Sequence, residues 1–292
     1  MLNPKKTTIM KKALSMLMLI TLAVIYTTSC SAESVLTAGN QQKKQTVQLK
    51  TISAVEASGS LKVTIYQGKA KCYVELKGSE KELKNSTTKV SGNKLYIKHS
   101  NNQPNNNDMV EVNVYCKNVT DLTSTTGAYM TTSALTGEKV ELCAKMGGLI
   151  KVGEVTSLTA KLSANIGGKL DVGSLKSTEH VVCEANSGGE LDIDKLTAVK
   201  TDLSAISGSK IDSHIIADQL KAEAISGSEI ELEGTAITAT LKAASAAHIK
   251  AEELTANHLS ATANSAGSIE ASAITAEEHA DLTSVIRITK AK

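Results

Sequence analysis

The sequence predicts an all-β protein built as a parallel β-helix, and three observations support this fold class. A glycine or alanine returns every 19 to 21 residues from Gly127 onward. An apolar anchor follows three residues after each of them. Other apolar residues recur at fixed offsets from each anchor, as expected for stacked copies of one coil of about 20 residues. The anchors are Met130, Ile150, Leu170, Leu191, Ile211, Ile230, Ile249 and Ile269.

Each coil is expected to hold three short strands. The anchor and the residue two positions later, such as Ile150 and Val152, predict one strand because alternate residues point to the same face. An apolar position eight residues before the anchor predicts another, and the position six before it is always Ser or Ala, which indicates a tight inward corner. The third strand is predicted from the position five after the anchor, occupied by Leu135, Val155, Leu175, Leu196, Ile216, Leu254 and Ile274.

Residues 1–29 have the pattern of an export signal. Four lysines precede the apolar run from Ala13 to Tyr26, which is shorter than the roughly 20 residues that a spanning helix needs. The run ends at Thr27-Thr28-Ser29-Cys30, which resembles a bacterial lipobox with threonine where leucine is usual. We therefore expect Cys30 to be the acylated N-terminus of an outer-membrane lipoprotein; an ordinary secretory signal is the alternative.

The rest of the chain divides into three segments. Residues 30–46 lack apolar periodicity and predict a lipid-anchored tether. Residues 47–121 hold longer alternating stretches and turn signals such as Gln67-Gly68, and predict a β-rich N-terminal cap with the first turns. Residues 122–292 predict the regular repeats and a C-terminal cap, since open solenoid ends expose strand edges that must be covered.

Three stretches of the cap carry a resemblance to a known family. They are the segment Val55 to Gly68, VEASGSLKVTIYQG, the short strand that ends in Glu75 to Gly78, ELKG, and the segment Gly92 to Lys98, GNKLYIK. Ser-Gly-Gly and Ser-Gly-Ser repeats follow them. Together they resemble the bacterial autotransporter adhesins described by a head GIN domain, over most of the mature chain. The resemblance implies a right-handed β-helix exported to the envelope of a Bacteroidetes-like bacterium, and it brings no catalytic residue. The chain departs from the pattern at Ala246 and Ala266, where alanine replaces the turn glycine.

An acidic row is predicted on the outer surface, one residue after the anchors. Stacked at about 4.8 Å per coil, these carboxylates form either a strip for a divalent cation or a cationic ligand, or a solvated face on which neighbouring lysines relieve the repulsion. The calcium-binding nonapeptide repeat is excluded because Leu191 stands where its third glycine belongs. No metal site or cofactor is therefore predicted. The row consists of Asp171, Asp192, Asp212, Glu231 and Glu270.

Serine also forms a column, four residues before the anchors, and predicts a ladder of structural hydroxyls. The six histidines do not recur together in one column, so no base accompanies these serines as nucleophilic catalysis requires. The uniform turns leave little loop for a catalytic groove, and no aromatic residue follows Tyr129. These features favour a binding protein over an enzyme. The serines are Ser187, Ser207, Ser226, Ser245 and Ser265.

The amino-acid composition limits the classes of molecule that the protein is expected to bind. The chain has one arginine, Arg287, and neither Phe nor Trp, which argues against nucleic acid, because guanidinium forks and aromatic platforms usually bind it. Removal of residues 1–29 leaves 28 basic and 30 acidic residues, a nearly neutral mature chain. Cys143 and Cys183 lie two turns apart and predict separate buried thiols, while a bond between Cys72 and Cys116 stays open.

The sequence therefore predicts a non-enzymatic lipoprotein of the cell envelope, periplasmic or surface-exposed, that acts as an adhesin or interaction scaffold. Its expected partners are the membrane, through the lipid anchor, and a cell-surface polysaccharide or protein. The alternative is a β-helix that binds or processes polysaccharide. Nothing in the sequence determines the oligomeric state.

Overall fold

The computed structural model of the chain describes residues 42–100 and 109–290. They form a nearly all-β solenoid of about 8 turns with about 20 residues per turn, so the predicted fold class is confirmed. The strands are β1 (Lys43–Gln48), β2 (Ala54–Ser58), β3 (Leu61–Tyr66), β4 (Tyr73–Gly78), β5 (Ser86–Ser91), β6 (Lys94–His99), β7 (Val110–Tyr115), β8 (Asp121–Thr125), β9 (Tyr129–Lys145), β10 (Leu149–Asn165), β11 (Lys169–Asn186), β12 (Glu190–Ile206), β13 (Lys210–Ile225), β14 (Glu229–Ala244), β15 (His248–Asn264), β16 (Ser268–Ala280) and β17 (Val285–Lys290).

Each coil from β9 to β15 is one long strand bent at two corners, rather than three separate strands. Burial alternates along β10 except at two places where consecutive residues face outward: the first corner at Gly153 and Glu154, and the second corner at Leu158 and Thr159. The corners divide the strand into three straight segments, in agreement with the three predicted apolar positions. Each coil pairs in parallel with the next, as Ile150 does with Leu170.

A tight turn joins each coil to the next and explains the small residues of the repeat. Gly167 has φ +67°, and Ile166 before it is also left-handed, at φ +52°. The alanines that depart from the family pattern keep this conformation, with φ +58° at Ala246 and +64° at Ala266. In this coil the residue after Gly167 must also be glycine, because a Cβ on Gly168 would lie 2.3 Å from the carbonyl oxygen of Ala144.

The predicted core columns are buried with two exceptions. Ile216 and Ile274 were expected to point inward, but they are 41% and 49% exposed. The first corner before Ile216 is one residue shorter than in the preceding coil, so Ile215 takes the position next to Leu196. Likewise Ser272 pairs with Thr255 after a shift in register, and Ala273 rather than Ile274 is buried. A one-residue slip reverses the face of a side chain.

The N-terminal cap closes the solenoid by antiparallel pairing. β2 and β3 form a coil that lies between the coil of β8 and β9 and an outermost coil of β6 and β7. β4 then pairs antiparallel with β7, and β5 with β6, which covers the edges of that outermost coil. The short helix α1 (Glu80–Lys84) packs beside them, where buried Glu82 contacts buried His99 at 2.7 Å.

The first and last described strands, β1 and β17, lie at opposite ends of the strand stack. β1 begins at Lys43, inside the expected tether, because its main chain pairs with β4 and Lys44 contacts Glu75 at 2.6 Å. At the other end the last described strand, β17, pairs in parallel with β16 and continues the stack of coils. The register places two charged residues after inward columns, Glu278 beside Ala261 and Lys290 beside Ala273, and both side chains are exposed. Charged side chains near the edge of a sheet oppose pairing with another sheet.

Replacement of Leu170 by aspartate tests the inward columns. Leu170 is fully buried, so Leu170→Asp is expected to lower the free energy of unfolding by several kcal/mol because it buries an unpaired charge. Asp171→Leu is the matched control: it removes only a contact between partly exposed side chains and should leave the melting temperature almost unchanged. Equal melting of the two variants, measured by circular dichroism, would contradict the assignment of faces.

Candidate functional site

The predicted acidic row exists as a column, and lysines are interleaved with it. Asp171, Asp192, Asp212 and Glu231 pair in register from β11 to β14, and Lys250 follows them before Glu270. The neighbouring column contributes Lys169, Glu190, Lys210 and Glu229. The resulting ion pairs include Lys151 with Asp171 at 2.6 Å, Lys169 with Glu190 at 2.6 Å, Lys250 with Glu231 at 2.9 Å and Arg287 with Glu270 at 2.8 Å.

The charges in this row are unequally compensated. Hydrogen bonds from Lys210 and Lys250 lower the pKa of Glu231 to about 2. By contrast, partial burial, followed by the charges of Asp171 and Asp194, raises the pKa of Asp192. Asp212 also has a raised pKa, chiefly from burial, and lies 4.0 Å from Lys210. The residues described by the structure contain no group of three or more His, Cys, Asp or Glu side chains arranged to hold a metal ion. The geometry therefore favours an ion-pair ladder.

The predicted serine column marks the tight turns, and its ladder is built from main chain. Ser187, Ser207 and Ser226 are exposed and left-handed, with φ of 51°, 59° and 57°. The amide of Gly188 donates to the carbonyl of Ser207 at 3.1 Å, and this pattern recurs from coil to coil. The expectation of a hydroxyl ladder was therefore wrong for these positions. Sequence reasoning missed the buried hydroxyls of Ser209 and Ser228, which donate to carbonyls of the coil before the adjacent one.

Two histidines, His180 and His258, make contacts with polar side chains outside the core. His258 Nδ1 lies 2.8 Å from Thr275 Oγ1, but that hydroxyl already donates to the carbonyl of Asn257 at 2.9 Å. The threonine therefore accepts from the imidazole and is not activated by it. His180 contacts Asp202 at 2.8 Å on an exposed face.

The described cysteines are all free thiols. Cys183 is fully buried in the inward column, and burial raises its pKa to about 12. Cys143 is only half-buried, which corrects the expectation of a buried thiol: it pairs with Ser163 and belongs to the adjacent outward column. Cys30 and the predicted export signal lie outside the described residues. No helix in residues 42–100 and 109–290 is long and apolar enough to cross a bilayer.

A shallow groove of about 400 Å³ lies along one side of the solenoid, across the coils of β11 to β15. Its floor is a column of small residues, and two outward columns form its walls. We call this feature the side groove. The floor contains Ser177, Ala198, Ala217 and Ala236; one wall consists of Thr197, Ile216, Thr235 and Thr255, and the other of Val199, Asp218, Ile237 and Asn257.

The side groove is apolar and almost uncharged, unlike the ion-pair ladder. Val199 is 47% exposed and Ile237 is 49% exposed, so large aliphatic side chains stand in solvent on one wall. Ile216 joins them on the other wall only because the shortened corner turns it outward. Asp218 is the one ionisable residue among those that line the groove. The sequence does contain a trace of the groove, because an alanine preceded by threonine or isoleucine recurs in successive coils. The groove was not predicted because Ile216 was assigned to the inward face.

Aromatic residues form a second feature, on the outer face of the cap. The rings of Tyr66 and Tyr115 stack with centroids 5.0 Å apart, and those of Tyr115 and Tyr73 with centroids 4.4 Å apart. The three tyrosines lie at the ends of adjacent strands, β3, β7 and β4. Because the rings cover each other's faces, the stack holds the cap together and leaves Tyr66 as its most exposed member, at 41%.

A pair of substitutions in the acidic row tests its electrostatics. Asp192 has a folded-state pKa raised above its unfolded value, so its charge destabilises the fold at neutral pH and Asp192→Asn should raise the melting temperature at pH 7 by about 1–2 °C. Glu231 has a lowered pKa, so Glu231→Gln should lower the melting temperature by a similar amount.

The pH dependence distinguishes these effects from changes in packing. The stabilisation by Glu231 is present above its unfolded pKa of about 4.5 and disappears as the pH falls toward 2. The penalty at Asp192 also disappears as its carboxylate protonates in acid. Thermal melts from pH 7 to pH 3 should therefore show both variants converging on the wild type, and a shift of the same sign in both would contradict this account.

Comparisons with known proteins agree with the architecture. Crystal structures of a "putative adhesin" from Parabacteroides merdae and another from Parabacteroides distasonis share the fold, with TM-scores of 0.55 and 0.53 at 13% and 14% identity. They cover 85% and 86% of this chain, and 96% and 98% of their own chains. The search of curated proteins found no sequence that matches this chain. The family model described as "Putative auto-transporter adhesin, head GIN domain" matches residues 52–214 and 184–284. The chain therefore belongs to this adhesin family.

Proposed function

We propose that the protein is a surface-displayed lipoprotein of the bacterial envelope, anchored through Cys30, that mediates adhesion by binding an extended, uncharged polymer in the side groove. The single observation that carries the proposal is the side groove itself, where exposed aliphatic and threonine side chains repeat over four consecutive coils. Membership of the adhesin family supports the binding role.

The chemistry of the groove defines the class of partner. Val199 and Ile237 offer apolar contact, and Thr235 and Thr255 offer hydroxyls that both donate and accept hydrogen bonds. Since Asp218 is the one ionisable residue in the lining, a neutral polymer with hydroxyl and apolar faces fits better than an acidic one. The chemistry is that of a neutral polysaccharide.

The repeat of the solenoid explains how weak contacts add up. Four coils spaced by about 4.8 Å present threonine or isoleucine on one wall over about 14 Å, while aliphatic and polar residues alternate on the other. A polymer lying along the axis would make similar contacts on each coil, and neighbouring molecules in a membrane would extend the array. Linked sites gain strength by effective concentration, so clustered molecules should bind much more firmly than single ones.

Anchoring provides that clustering. The lysines, the apolar run and the small residues before Cys30 are the pattern of an export signal with an acylated cysteine. One acyl chain holds a protein only weakly, whereas the several chains of a lipoprotein cysteine hold it firmly. The residues between Cys30 and β1 would then separate the solenoid from the membrane.

Adhesion of cells that display the full chain tests the groove. Ile216→Lys combined with Ile237→Lys places two charges on opposite walls and should reduce adhesion to immobilised neutral polysaccharides by at least about tenfold, because a bound polymer would have to desolvate them. The matched control is Ile166→Lys, which changes an apolar residue of 61% exposure at the turn, far from the groove lining, and should adhere like the wild type.

A variant of the anchor and two further measurements test the separate parts of the proposal. Cys30→Ser should move the protein to the soluble fraction and abolish cell adhesion, while bead-clustered protein still binds. Absence of palmitate incorporation into the wild type would refute the anchor alone. Equal adhesion of the groove variant and the control would refute the groove, and turnover of the polysaccharide would identify an enzyme instead.

A further inference from the structure

Cys72 and Cys116 occupy opposed positions on neighbouring strands of the cap. β4 and β7 pair antiparallel, with Tyr73 opposite Tyr115 at the last recorded pair. One step farther along both strands, the same register sets Cys72 opposite Cys116. The sequence left their pairing open because it does not reveal which strands of the cap are neighbours.

The backbone hydrogen bonds show which kind of cross-strand position this is. The amide of Cys116 donates to the carbonyl of Tyr66, and its carbonyl accepts from Lys69. The carbonyl of Cys72 accepts from Leu49 on its other side. These main-chain hydrogen bonds run to other strands, on the side of each cysteine that faces away from its partner. This arrangement is typical of a non-hydrogen-bonded antiparallel pair. In such pairs the Cα atoms are about 4.5 Å apart, within the range of about 4.4–6.8 Å found in disulfides.

The two side chains point to the same, inner face. Cys116 follows the inward residues Val112 and Val114 in alternation, and it is fully buried. Cys72 precedes the inward residue Val74 by two positions and packs against the core. Burial, and to a lesser extent the neighbouring Cys72 thiol, together raise the pKa of the Cys116 thiol to about 12. The thiols are therefore close enough to influence one another.

We propose that Cys72 and Cys116 are a modification site at which a disulfide oxidant forms an intramolecular disulfide between β4 and β7. The half-buried Cys72 thiolate attacks the disulfide of the oxidant, such as oxidised glutathione, and releases one thiol. The Cys116 thiolate then attacks Cys72 in the mixed disulfide and displaces the second thiol. Two protons and two electrons leave the cysteines, and the oxidant is reduced to two thiols.

The bond would secure the part of the cap that covers the end of the solenoid. It closes a loop of about 45 residues that includes α1, β5 and β6, and it fixes β4 to the outermost coil. Loops of this size gain appreciable stability from cross-linking. The relevance of the site in the cell rests on the export that the proposed function includes, since oxidising compartments permit disulfides.

A purified, fully reduced full chain treated with oxidised glutathione, alkylated and mapped by mass spectrometry tests the proposal without depending on export or adhesion. The expected result is a cross-linked pair of peptides containing Cys72 and Cys116, with Cys143 and Cys183 alkylated, and a rise in melting temperature of roughly 5 °C or more. Cys72→Ser should abolish both effects, and the matched control Cys143→Ser should keep both.

The opposite results are equally clear. Recovery of Cys72 and Cys116 in alkylated form, or bound only to glutathione, would overturn the proposal. A cross-link between Cys143 and Cys183 in its place would also overturn it, and would contradict the coil spacing as well.

Discussion

The main-chain hydrogen bonds between consecutive coils are the constraint on which the rest of the structure depends. They run through the strands and continue through the turns, where the amide of Gly188 donates to Ser207 and that of Gly208 to Ser226. Because this ladder sets residue opposite residue, the inward columns consist mainly of apolar residues that can stack, with a few buried hydroxyls such as those of Thr201 and Ser213. Each outward column becomes a row of like positions, so the surface properties of the protein are properties of whole rows.

Much of the fold could be predicted from the sequence because the repeat reports directly on this constraint. The anchors from Met130 to Ile269 are all buried, as periodicity indicated. The failures have a common physical origin in strand register. Ile216 and Ile274 were assigned to the wrong face because the first corner of their coils is shorter than in the preceding coil. Such a change keeps the spacing between anchors similar but turns the residues after the corner to the opposite face. The start of β1 was placed too late, at Val47 instead of Lys43, because the first four residues of the strand are polar and leave no apolar pattern.

The same register explains why the candidate site was predicted only in part. The acidic row was visible because Asp171, Asp192 and Asp212 keep one offset from their anchors, and the structure shows the expected neighbouring lysines pairing with acidic residues in an ion-pair ladder. The side groove was not visible, since one wall depends on Ile216 pointing outward. Pairing between β4 and β7 likewise exists only in three dimensions, so the opposition of Cys72 and Cys116 had no counterpart in the periodicity of the sequence.

The central claim is that the shortened first corner before Ile215 turns Ile216 outward and so creates the side groove. Maleimide labelling of Ile215→Cys and Ile216→Cys, counted by intact mass against the wild type, tests it most directly. In the native state the cysteine at 216 should react within minutes, because Ile216 is 41% exposed, while the cysteine at 215 should stay protected until the protein unfolds. Rapid labelling at 215 with protection at 216 would contradict the account and restore the register that uniform spacing predicts.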